Sequence, residues 1–177
     1  MTTASKITLF RVVLIPVMMW TLYMSEGFRS LWMWVSLGIF ILGSLSDFLD
    51  GQIARRCNQV TDFGKFMDPI ADKVLVLSAM SMFVSWGRMP AWILVVVIAR
   101  ELAVSALRMI AVDNGRVIAA GWSGKVKTAS TMVCICIMLL LCIQPLDWVC
   151  NGVILVTTAY SGIEYFVKNR DVLNWNK

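Results

Sequence analysis

The sequence predicts an all-α integral membrane protein, a six-transmembrane-helix bundle with a polar cavity facing the cytoplasm. Three observations predict it. Hydrophobic residues make up 59% of the 177 residues and the mean hydropathy is +0.75, beyond the roughly half-apolar composition of soluble domains. Apolar runs close to the ~20 residues that a spanning helix needs recur six times along the chain. Between those runs, positive charge falls mostly on one side of the predicted layer.

The first predicted span covers residues 7–24 and stops at Ser25-Glu26-Gly27. The second covers residues 31–57 and is followed by the polar stretch 58–63. The third, residues 66–84, ends at Gly87-Arg88-Met89-Pro90, and the fourth, residues 91–112, ends at Asp113-Asn114-Gly115. The fifth and sixth cover residues 126–143 and 148–167, separated by Gln144-Pro145. Each break replaces hydrophobic periodicity with Gly, Pro, Asn or Asp turn chemistry. Trp32, Trp34, Trp86, Trp92, Trp122 and Trp148 sit at or near predicted ends, as an interfacial aromatic belt would. The stretch before the first span is short and no small-residue cleavage site follows it, so the first helix is expected to stay. With no Ser/Pro-rich linker or internal repeat, residues 1–177 read as one domain.

The net charge of +5 does not signal nucleic acid, because Lys and Arg are scattered between apolar segments and form no basic stripe interleaved with aromatics. They report topology. With the N-terminus in the cytoplasm, that side receives Lys6, Arg11, Arg55, Arg56, Lys65, Lys73, Arg108, Arg116, Lys125, Lys127, Lys168, Arg170 and Lys177. The other side receives Arg29 and Arg88, and Arg100 lies inside the fourth span. Both termini are therefore expected in the cytoplasm. Cys57, Cys134, Cys136, Cys142 and Cys150 form no CxxC pair and read as small buried hydrophobes.

Chemistry concentrates in residues 47–72. Asp47 and Asp50 are three apart, about 60° around a helix, and Asp68 and Asp72 are four apart, about 40°, so each pair projects from one face. Unpaired carboxylates near a bilayer are costly, and four together point to a divalent cation. An all-oxygen set in a chain without His suits Mg²⁺ or Mn²⁺. Gly51, Ala54 and Gly64 leave room for a phosphate or a neighbouring backbone. The plainer alternative, helix-end charges solvated at the membrane surface, explains one such pair better than two in register with glycines.

The run Asp47-x2-Asp50-Gly51-x2-Ala54-Arg55-x8-Gly64-x3-Asp68-x3-Asp72 resembles the signature of the CDP-alcohol phosphotransferases, with every fixed position filled. The resemblance implies that Asp47, Asp50, Asp68 and Asp72 hold the metal, that Asp72 also serves as the base, and that Gly51, Ala54, Arg55 and Gly64 shape the cytidine and diphosphate pocket. The family's N-terminal approach, Asn-x2-Thr-x2-Arg, appears with Ser5, Thr8 and Arg11 at that spacing. Thr8 and Arg11 are then expected at the nucleotide or its diphosphate, while Ser5, replacing Asn, is adequately explained as a helix N-cap.

A second constellation is cationic. Arg100, Glu101 and Arg108 share an arc of about 100° on the fourth span, and buried guanidinium groups suit a phosphorylated acceptor. Lys125 or Lys127 would add a flexible point charge. Glu101 reads as an ion-pair support of the bundle; snorkelling of Arg108 and a purely topological role for one of the lysines are the plainer alternatives. The segments Ala-Arg-Glu at 99–101, Ser-Ala-Leu-Arg at 105–108 and Gly-Lys-Val-Lys-Thr at 124–128 look like the bacterial phosphatidylglycerophosphate synthases of that family.

The residues by themselves imply metal-dependent transfer involving a phosphorylated partner at the membrane. The resemblance implies more: transfer of the phosphatidyl group of CDP-diacylglycerol to sn-glycerol 3-phosphate, by a homodimer in the bacterial inner membrane with its site facing the cytoplasm. Cardiolipin synthase or another phosphotransferase of the family is the alternative acceptor chemistry. A divalent-cation channel or transporter is the alternative outside enzymes, although adjacent Arg and Lys would repel its cargo.

Overall fold

The computed structural model describes the backbone of residues 3–27, 30–57, 62–113, 115 and 121–170. Side chains of residues 3–8, 47–57, 62–69 and 113 lie outside that description. Six helices follow one another, α1 Thr3–Ser25, α2 Leu31–Cys57, α3 Asp62–Ser85, α4 Ala91–Asp113, α5 Trp122–Leu141 and α6 Gln144–Lys168, and no strand occurs among the described residues.

The helix ends follow local chemistry. Helix α1 stops where Glu26 and Gly27 turn left-handed, with φ of 50° and 77°. The turn is tight: a Cβ on Gly27 would stand 2.8 Å from the Trp86 ring, so only glycine suits both the dihedral and the space. The hydroxyls of Thr21 and Ser25 donate to the carbonyls of Met18 and Leu22 within the final turns. After α3, Gly87 has φ of 70° and the amides of Arg88 and Met89 both donate to the Phe83 carbonyl.

Four expected helix starts move. Helix α1 begins at Thr3, α3 at Asp62 and α5 at Trp122, each four residues before the apolar run that predicted it. Apolar content marks where lipid-compatible surface begins, whereas the backbone ladder continues into the flanking polar residues. Gln144-Pro145 is no break but the start of α6, with proline in the first turn, where its missing N–H removes no ladder bond. The actual break is Cys142, left-handed with φ of 48°. Ser5 is not the cap of α1, which already begins at Thr3.

Packing arranges the helices as an up-and-down bundle. Helix α1 lies on α2 and α3, α2 on α3 and α5, α3 on α4 and α5, and α6 on both α4 and α5. The core runs through Met18, Leu22, Phe40, Leu75, Phe83, Ile135, Met138 and Ile154; a smaller cluster of Val104, Leu107 and Tyr165 joins α4 to α6. One helix, Trp122–Leu141, is long and apolar enough among the described residues to cross a membrane by composition alone. Helix α4 carries Arg100, Glu101 and Arg108 within its length, which interrupts its apolar run.

The two ends of the bundle differ. At one end, Gly27, Trp86 to Pro90, Cys142 and Asp147 border a bowl of about 690 Å³. Arg88 crosses it to Asp147 through Nε–Oδ2 and Nη2–Oδ1 bonds of 2.7 Å each, and also donates to the Met138 carbonyl at 2.6 Å. Burial pulls the Arg88 guanidinium toward neutrality, but the hydrogen bonds and charge of Asp147 outweigh it and hold the pKa above arginine's ordinary value. The sequence reading took Arg88 as a loop charge and did not foresee this partner. Arg88 and Asp147 satisfy one another there, and the predicted chemistry lies in the other half.

Candidate active site

Asp47 and Asp50 fall on α2, and Asp68 and Asp72 on α3. The two helices meet closely beside them. Gly43, one turn before Asp47, is buried, and a Cβ there would stand 2.8 Å from Leu75 Cδ2, three residues beyond Asp72. The glycine lets the Leu75 side chain of α3 lie against the α2 backbone, and the sequence reading missed it. Its signal was a lone glycine within an apolar run one turn from a motif acid. Arg11, on α1 against both helices, is fully buried.

The side chains of Thr8, Asp47, Asp50, Gly51, Ala54, Arg55, Gly64 and Asp68 fall outside the described residues. No group of three metal-capable side chains gathers among the described ones. Asp72 is described and half-buried, with a buried Oδ1. It lines a small cavity with Lys73, Val76, Leu77, Val97, Glu101, Lys127, Thr128 and Thr131, which brings the motif's last carboxylate together with Lys73 of α3, Glu101 of α4 and Lys127 of α5.

Glu101 is the centre of that cationic group. Its Oε1 accepts 2.8 Å hydrogen bonds from Lys127 Nζ and Arg100 Nη1, and Lys73 Nζ lies 3.6 Å from Oε2. Lys73 also donates to the Ser105 hydroxyl, and Arg100 Nη2 to Ser161 Oγ at 2.6 Å. Small residues make room for Arg100: a Cβ on Gly162 would stand 3.3 Å from its Cγ, and one on Gly124 3.6 Å from its Nη2. Lys127 is 4% exposed, whereas Lys125 is exposed on the first turn of α5.

The structure therefore divides the predicted acceptor set. Lys127 meets Asp72 at one cavity, and Arg100 is tied to that group through Glu101. Arg108 lies two turns along α4, about 12 Å of axial rise away, where Nε donates to Tyr165 Oη at 3.0 Å and the guanidinium stacks 5.6 Å from the ring centroid. Lys73 belongs to the cluster although its charge read as a topology marker. Its position directly after Asp72 was the available signal. Ser105 and Ser161 carry none in sequence, since buried hydroxyls of helices usually bond their own backbone.

Comparison with known proteins identifies the family. The CDP-alcohol phosphatidyltransferase family model matches residues 1–162. A CDP-diacylglycerol--glycerol-3-phosphate 3-phosphatidyltransferase of Bacillus subtilis (strain 168) is 38% identical, over 96% of this chain and 95% of its own. The enzyme of the same description from Escherichia coli (strain K12) is 37% identical, over 90% of this chain and 82% of its own. A probable phosphatidylglycerophosphate synthase of Mycobacterium tuberculosis (strain ATCC 25618 / H37Rv) is 35% identical over 93% and 80%. With the signature complete and the match nearly end to end, this chain belongs to the CDP-alcohol phosphatidyltransferase family.

Proposed function

We propose that the protein transfers the phosphatidyl group of CDP-diacylglycerol to sn-glycerol 3-phosphate, releasing CMP and phosphatidylglycerol phosphate. The observation that carries this reading is the meeting of Asp72 with Lys73, Glu101 and Lys127 around one cavity, in a chain whose near-full-length relatives are described by that reaction. A phosphorylated acceptor needs cations beside the group that takes its proton. A cation channel would need the reverse.

In the reaction, the acceptor hydroxyl oxygen attacks the phosphorus that bears diacylglycerol, the bond from that phosphorus to the CMP oxygen breaks, and the hydroxyl proton passes to Asp72. Asp47, Asp50, Asp68 and Asp72 would hold Mg²⁺ or Mn²⁺, an assignment supported by an all-oxygen donor set in a chain without histidine. Bound there, the ion would offset charge on the diphosphate and on the departing CMP. Arg11, with Thr8, Arg55, Gly51, Ala54 and Gly64, would border the nucleotide. Lys127 and Arg100 would orient the acceptor phosphate, and positioning contributes as much as proton removal for so weak a nucleophile.

The setting we propose is the bacterial inner membrane, with both termini and the site toward the cytoplasm and the chain acting as a homodimer. Large apolar side chains are exposed on every helix, among them Phe10, Trp20, Leu42, Val74, Val95, Met109, Val133, Val156 and Ile163. Such coverage suits lipid contact, because soluble monomers seldom expose apolar patches beyond a few hundred Å². Lys73 and Lys127, counted as topology charges, are engaged inside the bundle, yet the remaining cations still favour the same side. The homodimer rests on family resemblance alone.

Release of CMP by the purified protein with CDP-diacylglycerol tests the reading. Turnover is expected with glycerol 3-phosphate, to stop on chelation and to return with Mg²⁺ or Mn²⁺. Turnover with phosphatidylglycerol in its place would identify a cardiolipin synthase, and none with any alcohol would remove the enzyme reading.

A further inference from the structure

We propose that Glu101 is a positioning residue of the acceptor site: its carboxylate gathers Lys73, Arg100 and Lys127 into one preorganised seat for a phosphate monoester. The inference rests on the reading of this cavity as the glycerol 3-phosphate site and deepens it, since Glu101 otherwise counts only as an ion-pair support.

Geometry makes the case. Three cationic groups, from α3, α4 and α5, share one carboxylate, two at 2.8 Å and the third at 3.6 Å. Without Glu101, the buried ammonium of Lys127 and the guanidinium of Arg100, both within 2.8 Å of one of its oxygens, would repel each other. With it, they are held on one oxygen while donor capacity remains: Lys127 Nζ has three N–H groups and spends one on Glu101, and Arg100 Nε is buried without a hydrogen bond. The anion that completes such a seat must accept several hydrogen bonds at once.

Charge selects its class. Three cations against the carboxylates of Glu101 and, on the same cavity, Asp72 leave a net positive charge. A phosphate monoester, negatively charged near neutral pH, offsets it, whereas a neutral polyol leaves it uncompensated. Asp72 lines the same cavity, within reach of an acceptor held there. A bundle-support role alone would leave Lys127 and Arg100 indifferent to the acceptor. The positioning role makes acceptor affinity depend on Glu101.

Steady-state kinetics of the purified protein, varying each substrate separately, test this. Glu101→Gln is expected to raise KM for glycerol 3-phosphate about tenfold or more, the loss of one charge-assisted contact set, while KM for CDP-diacylglycerol stays within about twofold. Glu101→Asp, which keeps the charge, should recover part of the loss. Because Glu101 acts through Lys127, the variant combining Glu101→Gln with Lys127→Gln should be no worse than the poorer single variant. An unchanged or lower acceptor KM in Glu101→Gln, or additive losses in the combined variant, would overturn the inference. Should Glu101→Gln fail to fold, Glu101→Asp decides alone, and an unchanged acceptor KM there overturns it. If the wild-type protein does not use glycerol 3-phosphate at all, the proposed function fails; wild-type turnover with indifferent Glu101 variants defeats this inference only.

Discussion

At the scale of single residues, two side chains on opposite sides of the acceptor question carry different predictions. Asp72 borders the cavity that holds Lys73, Glu101 and Lys127, so Asp72→Asn removes a proton acceptor while keeping its shape. Turnover should fall about 10² to 10⁴-fold, the usual contribution of general base catalysis, while metal-dependent binding of CDP-diacylglycerol survives; wild-type turnover in this variant would refute the assignment. Arg108 was expected beside Arg100, but it is bonded to Tyr165 and stacked on its ring. Arg108→Ala still has an expected effect, a higher KM for glycerol 3-phosphate at little changed kcat, and smaller than that of Arg100→Ala because Arg108 lies outside the Glu101 cluster. An unchanged KM removes Arg108 from the acceptor route. Of the motif acids the described side chain is that of Asp72, and the helical setting of all four was legible in sequence from the apolar runs around them. The partners of Arg100 were not, because Ser161 and Gly162 are more than sixty positions away and small residues carry no periodic signal.

At the scale of elements, the site depends on how closely α2 approaches α3. Hydropathy disclosed six helices and their order, but not which of them touch, and the crossing at Gly43 and Leu75 is visible only in the fold. Gly43→Val should push the helices apart, since even one Cβ would lie 2.8 Å from Leu75 Cδ2 and valine adds two further methyls. The expected result is a higher Mg²⁺ concentration for half-maximal activity, by roughly tenfold if the strain is near the ~1–3 kcal/mol typical of overpacking. Leu75→Ala in the same chain should restore part of the loss by vacating that space. Equal metal activation in Gly43→Val and wild type would show that this crossing does not set the spacing of the aspartate pairs. The helix starts of α1, α3, α5 and α6 were misread for a related reason: hydropathy follows side chains, whereas a helix ends where its backbone ladder ends.

At the scale of the whole molecule, the bundle separates a reactive half from a locked one. Glu101 leaves its three cations with charge to spare, whereas Arg88 and Asp147 at the opposite end neutralise each other and tie the α3–α4 turn to α5 and α6. Their side chains are only 13% and 5% exposed, so removing one charge strands the other. Asp147→Asn should therefore destabilise the fold by about 3 kcal/mol, the lower part of the range for breaking a buried pair, or about 6–12 °C in Tm for a chain of this size. Alkaline titration cannot mimic this loss. The folded-state pKa of Arg88 is raised, so the stability it contributes is fully present below arginine's ordinary value and is lost only as pH rises through the still higher folded value. Replacing both partners, Arg88→Met with Asp147→Leu, should recover most of the lost Tm, since an apolar pair needs no compensation. Both variants should retain near-wild-type KM for glycerol 3-phosphate at temperatures well below Tm, because the acceptor cluster is built from other residues at the far end of the same helices. A selective rise in acceptor KM with Tm unchanged in Asp147→Asn would contradict this division, because the ion pair would then be acting on the chemistry instead of on the frame that holds it.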